Sequence, residues 1–292
     1  MEIIQRNLFE DDLKIKLYAP IPISNTTKRV DQSIRLIRSY NQWKPLTLAY
    51  SGGKDSECVR HLCKLAKVPI TIVHNCTTID YPGTLSQCQK VGAIIQRPKL
   101  SFYQLVAKKG LPSMFRRFCC QYLKEMYIAD TLLLGVRKDE SVKRDQRYNE
   151  PSACRAFSKQ KHCEQVLPLI MWNTDNLSEF IQDNNIILHP HYYVNGKLDV
   201  SQRVGCIGCP LQGDRGRRDY LAFPQFLRLL AKAYQRYVDK HKAVHSVYDD
   251  IVWQLFYSNH HDKQYQQTYH GIFQAPDPKQ FLEEYFGISL DF

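Results

Sequence analysis

The sequence predicts an α/β protein, a doubly wound and mostly parallel sheet followed by a helical C-terminal subdomain, on three observations. An apolar run, Leu46-Thr47-Leu48-Ala49-Tyr50, ends in Ser51-Gly52-Gly53-Lys54-Asp55-Ser56 and passes without a further breaker into a helix-like segment over residues 57–67. Short β-branched runs and helical patterns then alternate as far as Val136, the order that builds parallel sheets covered on both faces. Beyond Asp175 the strand signals fade, and from Pro210 onward only helical periodicities remain.

Residues 1–45 are polar and mixed, punctuated by Pro20 and Pro22, until Val30, Ile34 and Ile37 share one face of a helix. In the helix after the glycine pair, Cys58, Leu62, Leu65 and Ala66 fall on one face, so Cys58 and Cys63 read as core, and Val68-Pro69 ends the helix. Ile70-Thr71-Ile72-Val73-His74 is a short β-branched run, and strand–helix–strand means a parallel pair. A helix over 85–91, a strand near 93–95, a helix over 102–108 and a buried strand over 132–136 continue the alternation. Residues 177–183 read as helical and the rest to Gly205 as irregular, while Phe226, Leu229, Leu230, Ala233, Tyr234 and Tyr237 mark an amphipathic helix, with further ones over 248–257 and 279–286. The expected organisation is an N-terminal helical extension (1–45), a nucleotide-binding domain (46–210) and a helical subdomain (211–292).

The loop has a direct chemical reading. Gly52 and Gly53 let the backbone turn tightly and bring N–H groups close to an anion, and the following helix points its positive end at the same place. Ser51 and Ser56 add hydroxyl donors, Lys54 adds a point charge, and Asp55 could hold Mg2+ or orient a loop amide. The spacing of a Walker loop is absent.

At 292 residues and 43% hydrophobic, the chain can bury a proper core, and a formal charge of +11 favours polyanionic partners such as nucleic acids or nucleotides. No apolar run approaches the roughly 20 residues that span a bilayer, and Met1-Glu2-Ile3-Ile4-Gln5-Arg6 lacks a signal-peptide core, so a cytoplasmic protein without a membrane partner is expected.

Of ten cysteines, four come as two close pairs, Cys119-Cys120 and Cys206-Ile207-Gly208-Cys209. A Cys-x-x-Cys turn aims two thiolates at one centre, and a distant second pair completes four ligands. Neighbouring cysteines suit the corners of a [4Fe–4S] cube better than a single zinc ion, so the cube is favoured over zinc. Cys154 and Cys163 remain open as replacements for one of the adjacent pair, and buried thiols without a metal are the plain alternative.

Ser-Gly-Gly-x-Asp-Ser after a strand resembles the PP-loop of the ATP pyrophosphatase superfamily, whose members cleave ATP between the α and β phosphates. That loop, Cys119-Cys120-Gln121-Tyr122-Leu123-Lys124, the stretch from Gly135-Val136-Arg137 through Ser141-Val142-Lys143-Arg144, and Gly205-Cys206-x-x-Cys209-Pro210 occur in the order seen in the phosphoadenosine phosphosulfate (PAPS) reductase family. Pro168-Leu169, Trp172 and Asp175 also look like that family. The resemblance, over about residues 46–213, implies an adenine-nucleotide site, Arg137 and Arg144 on the anionic substrate with Ser141 nearby, and iron–sulfur ligation by Cys119, Cys120, Cys206 and Cys209. Two departures from sulfonucleotide reductases stand out. The PP-loop is intact, and no cysteine follows Cys209 where a Glu-Cys-Gly-x-His nucleophile is usual. Gly83 also stands where the reductases often have Glu.

These departures point to relatives that look like the DNA phosphorothioation enzyme or the cluster-bearing tRNA thiolases. The expectation is that ATP is split to AMP and pyrophosphate to activate an acceptor, DNA or tRNA, for sulfur transfer assisted by the cluster and by a sulfur-donor or electron-donor protein. Lys54, Asp55, Arg137 and Arg144 are the expected catalytic residues. The basic runs Arg116-Arg117, residues 143–147 and Arg215-Gly216-Arg217-Arg218 would suit a phosphate backbone. The alternatives are a sulfonucleotide reductase acting on an adenylyl sulfate, and a non-catalytic nucleic-acid-binding module stapled by a metal.

Overall fold

A computed structural model describes residues 25–126, 128–147, 150–156, 162–242, 246–257 and 277–291. Residues 1–24 of the expected extension lie outside them. The extension's helix is α1 (Asn25–Asn41). It buries Ile37, and it is also stitched by polar contacts: Ser33 Oγ donates to Pro168 O at 2.6 Å and accepts from the Trp172 indole at 3.0 Å. Burying one such isoleucine contributes about 2 kcal/mol.

The glycine loop lies where the central strand meets its helix. β1 (Leu46–Ala49) alternates buried Leu46 and Leu48 with half-buried neighbours, and α2 (Lys54–Ala66) follows the loop. Cys58, Leu62, Cys63 and Ala66 are buried as the spacing predicts, whereas Leu65 turns to solvent. α2 stops at Lys67, whose φ of 56° is left-handed and lets its N–H reach Lys64 O. β2 (Ile70–Asn75), α3 (Thr84–Lys90), β3 (Ile94–Gln96) and α4 (Phe102–Lys109) continue the predicted alternation. β4 (Thr131–Leu133) stops short of the expected Val136, because the chain turns off at Gly135 to pass over α2.

Between the cysteine pairs the fold departs from the sequence-based expectation. After α5 (Val142–Arg147), the chain forms two strands, β5 (Ser152–Ala156) and β6 (His162–Val166), where no strand was expected. The sheet order is β3-β2-β1-β4-β6-β5, parallel except for β5, which pairs antiparallel at the edge. Cys163 and Gln165 take inward positions where β-branched residues would have given a strand signal. α6 (Thr174–Asp183) then covers α1 and α2, and a two-residue-per-strand hairpin, β7 (Tyr193–Val194) with β8 (Lys197–Leu198), interrupts the stretch read as irregular.

The C-terminal part is helical as predicted: α7 (Asp214–Ala222), α8 (Pro224–His241), α9 (Val247–Val252) and α10 (Pro278–Phe286). On α8 the inward residues are Leu227, Leu230, Ala231, Ala233 and Tyr234, while Leu229 faces out. Two apolar cores result. One lies under the sheet with α1, α2 and α6, and the other gathers the C-terminal helices with α4, Ile79, Phe118, Leu123 and Ile207. The second core therefore holds the residues that flank both cysteine pairs. No helix among the described residues is long and apolar enough to cross a membrane.

Candidate active site

The loop closes on itself through its own hydroxyls. The Ser51 N–H donates to Ser56 Oγ at 3.2 Å, the Gly53 N–H donates to Ser51 Oγ at 3.4 Å, and the Ser56 hydroxyl donates to Gly53 O at 2.9 Å. Gly52 sits at φ 74°, and a side chain there would press on Thr84, so the turn needs glycine. Gly53 caps α2 without a side-chain cap, which leaves first-turn N–H groups facing the loop mouth. One of them, on Lys54, donates to the Tyr192 hydroxyl at 3.0 Å, and the Val204 N–H reaches the same oxygen at 3.4 Å. Tyr192 thus accepts from a first-turn N–H of the loop's helix, and sequence reasoning gave no sign of it.

Asp55 is the hub of the charges. Its carboxylate accepts from Arg137 Nε at 2.7 Å and stands 3.4 Å from Lys54 Nζ. Arg137 is buried and also reaches Asp139 at 3.2 Å. Burial lowers the Lys54 ammonium, Asp55 opposes that shift, and Arg137 and Arg203 add to it. With two cations on it, Asp55 orients basic groups rather than offering a bare metal ligand. Magnesium carried mainly on substrate phosphates needs only one or two protein carboxylates. Gly135 brings β4's exit against this hub: a Cβ there would lie 2.7 Å from the Asp55 carbonyl carbon, so a larger residue would displace the loop.

Of the remaining predicted anion contacts, Arg144 pairs with Glu140 of its own turn, and Ser141 Oγ accepts from the Arg144 N–H at 3.3 Å. Ser141 lines an open groove of about 510 Å³ with Asp145, Ile170 and Met171, and no residue of the glycine loop lines it. The structure therefore joins Arg137 to the loop and places Ser141 beside a groove that Arg137's partner Asp139 also lines.

The two cysteine pairs are delivered by different devices. Residues 79–81 pair with 205–207 through Ile207 N–H to Ile79 O at 2.8 Å and Tyr81 N–H to Gly205 O at 2.9 Å, which sets Cys206 at the end of β2. Cys120 opens a π-helical turn (Cys120–Lys124) whose last carbonyl accepts from Asn75 Nδ2 at 3.1 Å. Gly208, at φ 66°, lies so close to the Tyr220 ring that no side chain fits, and its N–H donates to Asp219 at 3.1 Å. A Cβ added at Gly216 of α7 would lie 2.6 Å from Cys209 O, so that close approach also needs glycine. The glycines were legible only as members of spaced motifs, and Asp219 was not legible at all.

The four thiols feel one another. Cys119 is pushed up by the adjacent Cys120 and by burial, with Cys206 and Cys209 adding to the rise. Cys120 is pulled down by Cys119 and then by Arg117, whose Nη2 lies 3.9 Å from its sulfur. Burial raises Cys206 to about 11 and also raises Cys209, and the Lys124 ammonium opposes both. Cys154 and Cys163 face one another's strands on the β5–β6 hairpin, and Cys163 is raised to about 11 by burial and then by Cys154. Neither is among the leading influences on the other four thiols. No group of three or more His, Cys, Asp or Glu among the described residues is arranged to hold a single metal ion. All four groups are thiols, the donor type that iron–sulfur clusters and zinc sites share, and the two pairs act on one another electrostatically.

The charge of exposed Arg203 bears on Lys54, Tyr192 and Cys209 alike. The departure at Gly83 also has a physical cause. Its φ is 92°, and the His189 imidazole, 3.0 Å from Pro82 O, fills the space a side chain would take.

A glycine-capped anion loop at the C-terminal end of a central parallel strand defines a PP-loop nucleotide-binding fold. Residues 45–212, more than half of the chain, match the phosphoadenosine phosphosulfate reductase domain, and the chain belongs to that family. A search of curated proteins gave no match. Among solved structures the chain is similar to phosphoadenylyl-sulfate reductase from Candida auris in a phosphate complex, at 15% identity and a TM-score of 0.44, covering 64% of this chain and 98% of that one. It is also similar to the U34-tRNA thiolase NcsA from Methanococcus maripaludis with its [4Fe-4S] cluster (13% identity, TM-score 0.38, 74% of this chain and 81% of that one). A third similarity is to the NH3-dependent NAD synthetase from Campylobacter jejuni (12% identity, TM-score 0.37, 76% of this chain and 99% of that one).

Proposed function

We propose that this chain cleaves ATP to AMP and pyrophosphate to activate an acceptor oxygen for sulfur transfer, and that the acceptor is a nucleic acid. The observation that carries the reading is the intact loop of residues 51–56 with buried Lys54, in a chain whose two cysteine pairs act on one another. An acceptor oxygen attacks the α phosphorus and pyrophosphate leaves. Lys54 and the first-turn N–H groups of α2 meet the charge that grows on the leaving group, while Asp55 holds Lys54 and Arg137 in place. Sulfide-level sulfur from a donor then attacks the acceptor atom that bears the activated oxygen, and that oxygen leaves as part of AMP. Cys119, Cys120, Cys206 and Cys209 would hold an iron–sulfur cluster, which when bound supplies a site for handling that sulfur. The positive charge of Arg203 bears on both centres.

The test is anaerobic purification followed by assay of pyrophosphate release from Mg-ATP with DNA, with tRNA and with no acceptor, beside a sulfite-release assay on adenylyl sulfate. Acceptor-stimulated pyrophosphate release is expected. Sulfite release without ATP cleavage would replace this reading with that of a sulfonucleotide reductase, and a colourless protein inactive in every arm would end both.

A further inference from the structure

Residues 108–124 hold five cations, Lys108, Lys109, Arg116, Arg117 and Lys124, without one acidic residue, and all five are exposed. The stretch is pinned at its ends. Leu111 packs on the helical core, Pro112 O accepts from Gln254 Nε2 at 3.0 Å, and Phe118 is buried. Between these anchors the Ser113 N–H donates to Arg116 O at 3.2 Å, and the Arg116 N–H donates to Ser113 Oγ at 3.0 Å. The turn so closed carries Met114 and Phe115 at its tip, where Gly, Pro, Asn, Asp or Ser are usual. Phe115 is 97% exposed, the most exposed large apolar side chain among the described residues. Close by in the chain, Tyr122 is half exposed with Lys109 Nζ 4.8 Å from its ring centroid, and the turn runs straight into Cys119-Cys120.

We propose that residues 108–124 are a docking platform for a single-stranded nucleic acid, which stacks a base on Phe115, lays its phosphates on the surrounding cations and enters the thiol site from this side. Rings offered among cations match unstacked bases joined by phosphates, whereas a duplex keeps its base faces hidden. An acidic protein surface would use the charges but leave the pinned, solvent-facing phenylalanine without a role. This deepens the reading above by giving the acceptor its physical form. Docking itself needs no ATP, so the two can fail separately.

The experiment is fluorescence anisotropy with labelled 15-nucleotide single-stranded DNA and RNA, a duplex of the same sequence, and heparin as a polyanion without bases. The full chain is compared with Phe115→Ala, Phe115→Trp and the double variant Lys108→Ala/Lys109→Ala, each checked by circular dichroism. Phe115→Ala should bind single strands about 5- to 100-fold more weakly, with Phe115→Trp restoring affinity and heparin unaffected. The lysine variant should lower the salt slope by about 0.7 for each phosphate it no longer neutralises. Equal loss for heparin and oligonucleotide, no effect of Phe115→Ala, preference for the duplex, or binding only to an acidic polypeptide such as polyglutamate would each overturn the platform. Phe115-dependent binding in a protein that releases no pyrophosphate would uphold the platform and overturn the reaction.

Discussion

The phosphate loop and the cysteine quartet are built in opposite ways. The loop is six consecutive residues on the sheet core, closed by its own serine hydroxyls and the turn at Gly52. The quartet comes from two distant pairs and exists only because Phe118, Leu123 and Ile207 are packed into the core of the C-terminal helices. A contiguous loop carries its geometry with it, so changes within it should strike chemistry first. A site assembled by packing should lose fold and ligands together. The C-terminal helices are thus part of how the thiol site is made, although the sequence alone set them apart as a subdomain.

The largest effect that separates the two regions is expected from Asp55→Ala. Pyrophosphate release should fall by about 10²–10³-fold as Lys54 and Arg137 lose their common partner. Because Arg137 stays buried, urea unfolding should also show a loss on the order of 3 kcal/mol. Full activity in this variant would remove the loop from the chemistry. Next, Cys206→Ser should abolish iron uptake on anaerobic reconstitution, measured by iron content and visible absorbance, while Cys154→Ser on the sheet-edge hairpin retains it. Equal loss in both would put the hairpin cysteines back among the ligands.

Gly208→Ala tests the packing side of the contrast. With the Tyr220 ring occupying the Cβ position and φ at 66°, the substitution should destabilise the fold by about 1–3 kcal/mol in urea and impair iron binding together. Iron loss at unchanged stability would mean that the Cys206–Cys209 turn does not depend on the helical core. The smallest effect is expected from Tyr192→Phe, which removes the hydroxyl that accepts from the Lys54 and Val204 N–H groups. A stability change of about 1 kcal/mol and an altered KM for ATP are the readouts, and no change in KM would show that the hydroxyl lies outside the anion path.

The parallel pairing of β1 with β2, the loop and the helical C-terminal part were legible because each rests on local periodicity or on glycine chemistry. The strands β5 and β6 were not, since their inward residues include Cys163 and Gln165 and their pairing supplies what their composition lacks. Within the site, Ser51 to Ser56 could be read as a unit, and the two cysteine pairs could be matched by spacing. Tyr192, Arg203 and Asp219 could not. They reach the site only because the chain after α6 folds back over the loop and α7 packs beside Gly208, and neither event leaves a periodic trace. Leu65 and Leu229 erred the other way, apolar residues on a helical stripe that the tertiary packing left at the surface.

The most direct test follows the phosphorus of ATP labelled at the α position, incubated with anaerobically prepared, iron-loaded protein and a single-stranded nucleic acid. Label appearing in AMP, with pyrophosphate in equal amount, is the predicted result. Label in ADP, or left in ATP while adenylyl sulfate is reduced, would contradict the role assigned to the loop of residues 51–56.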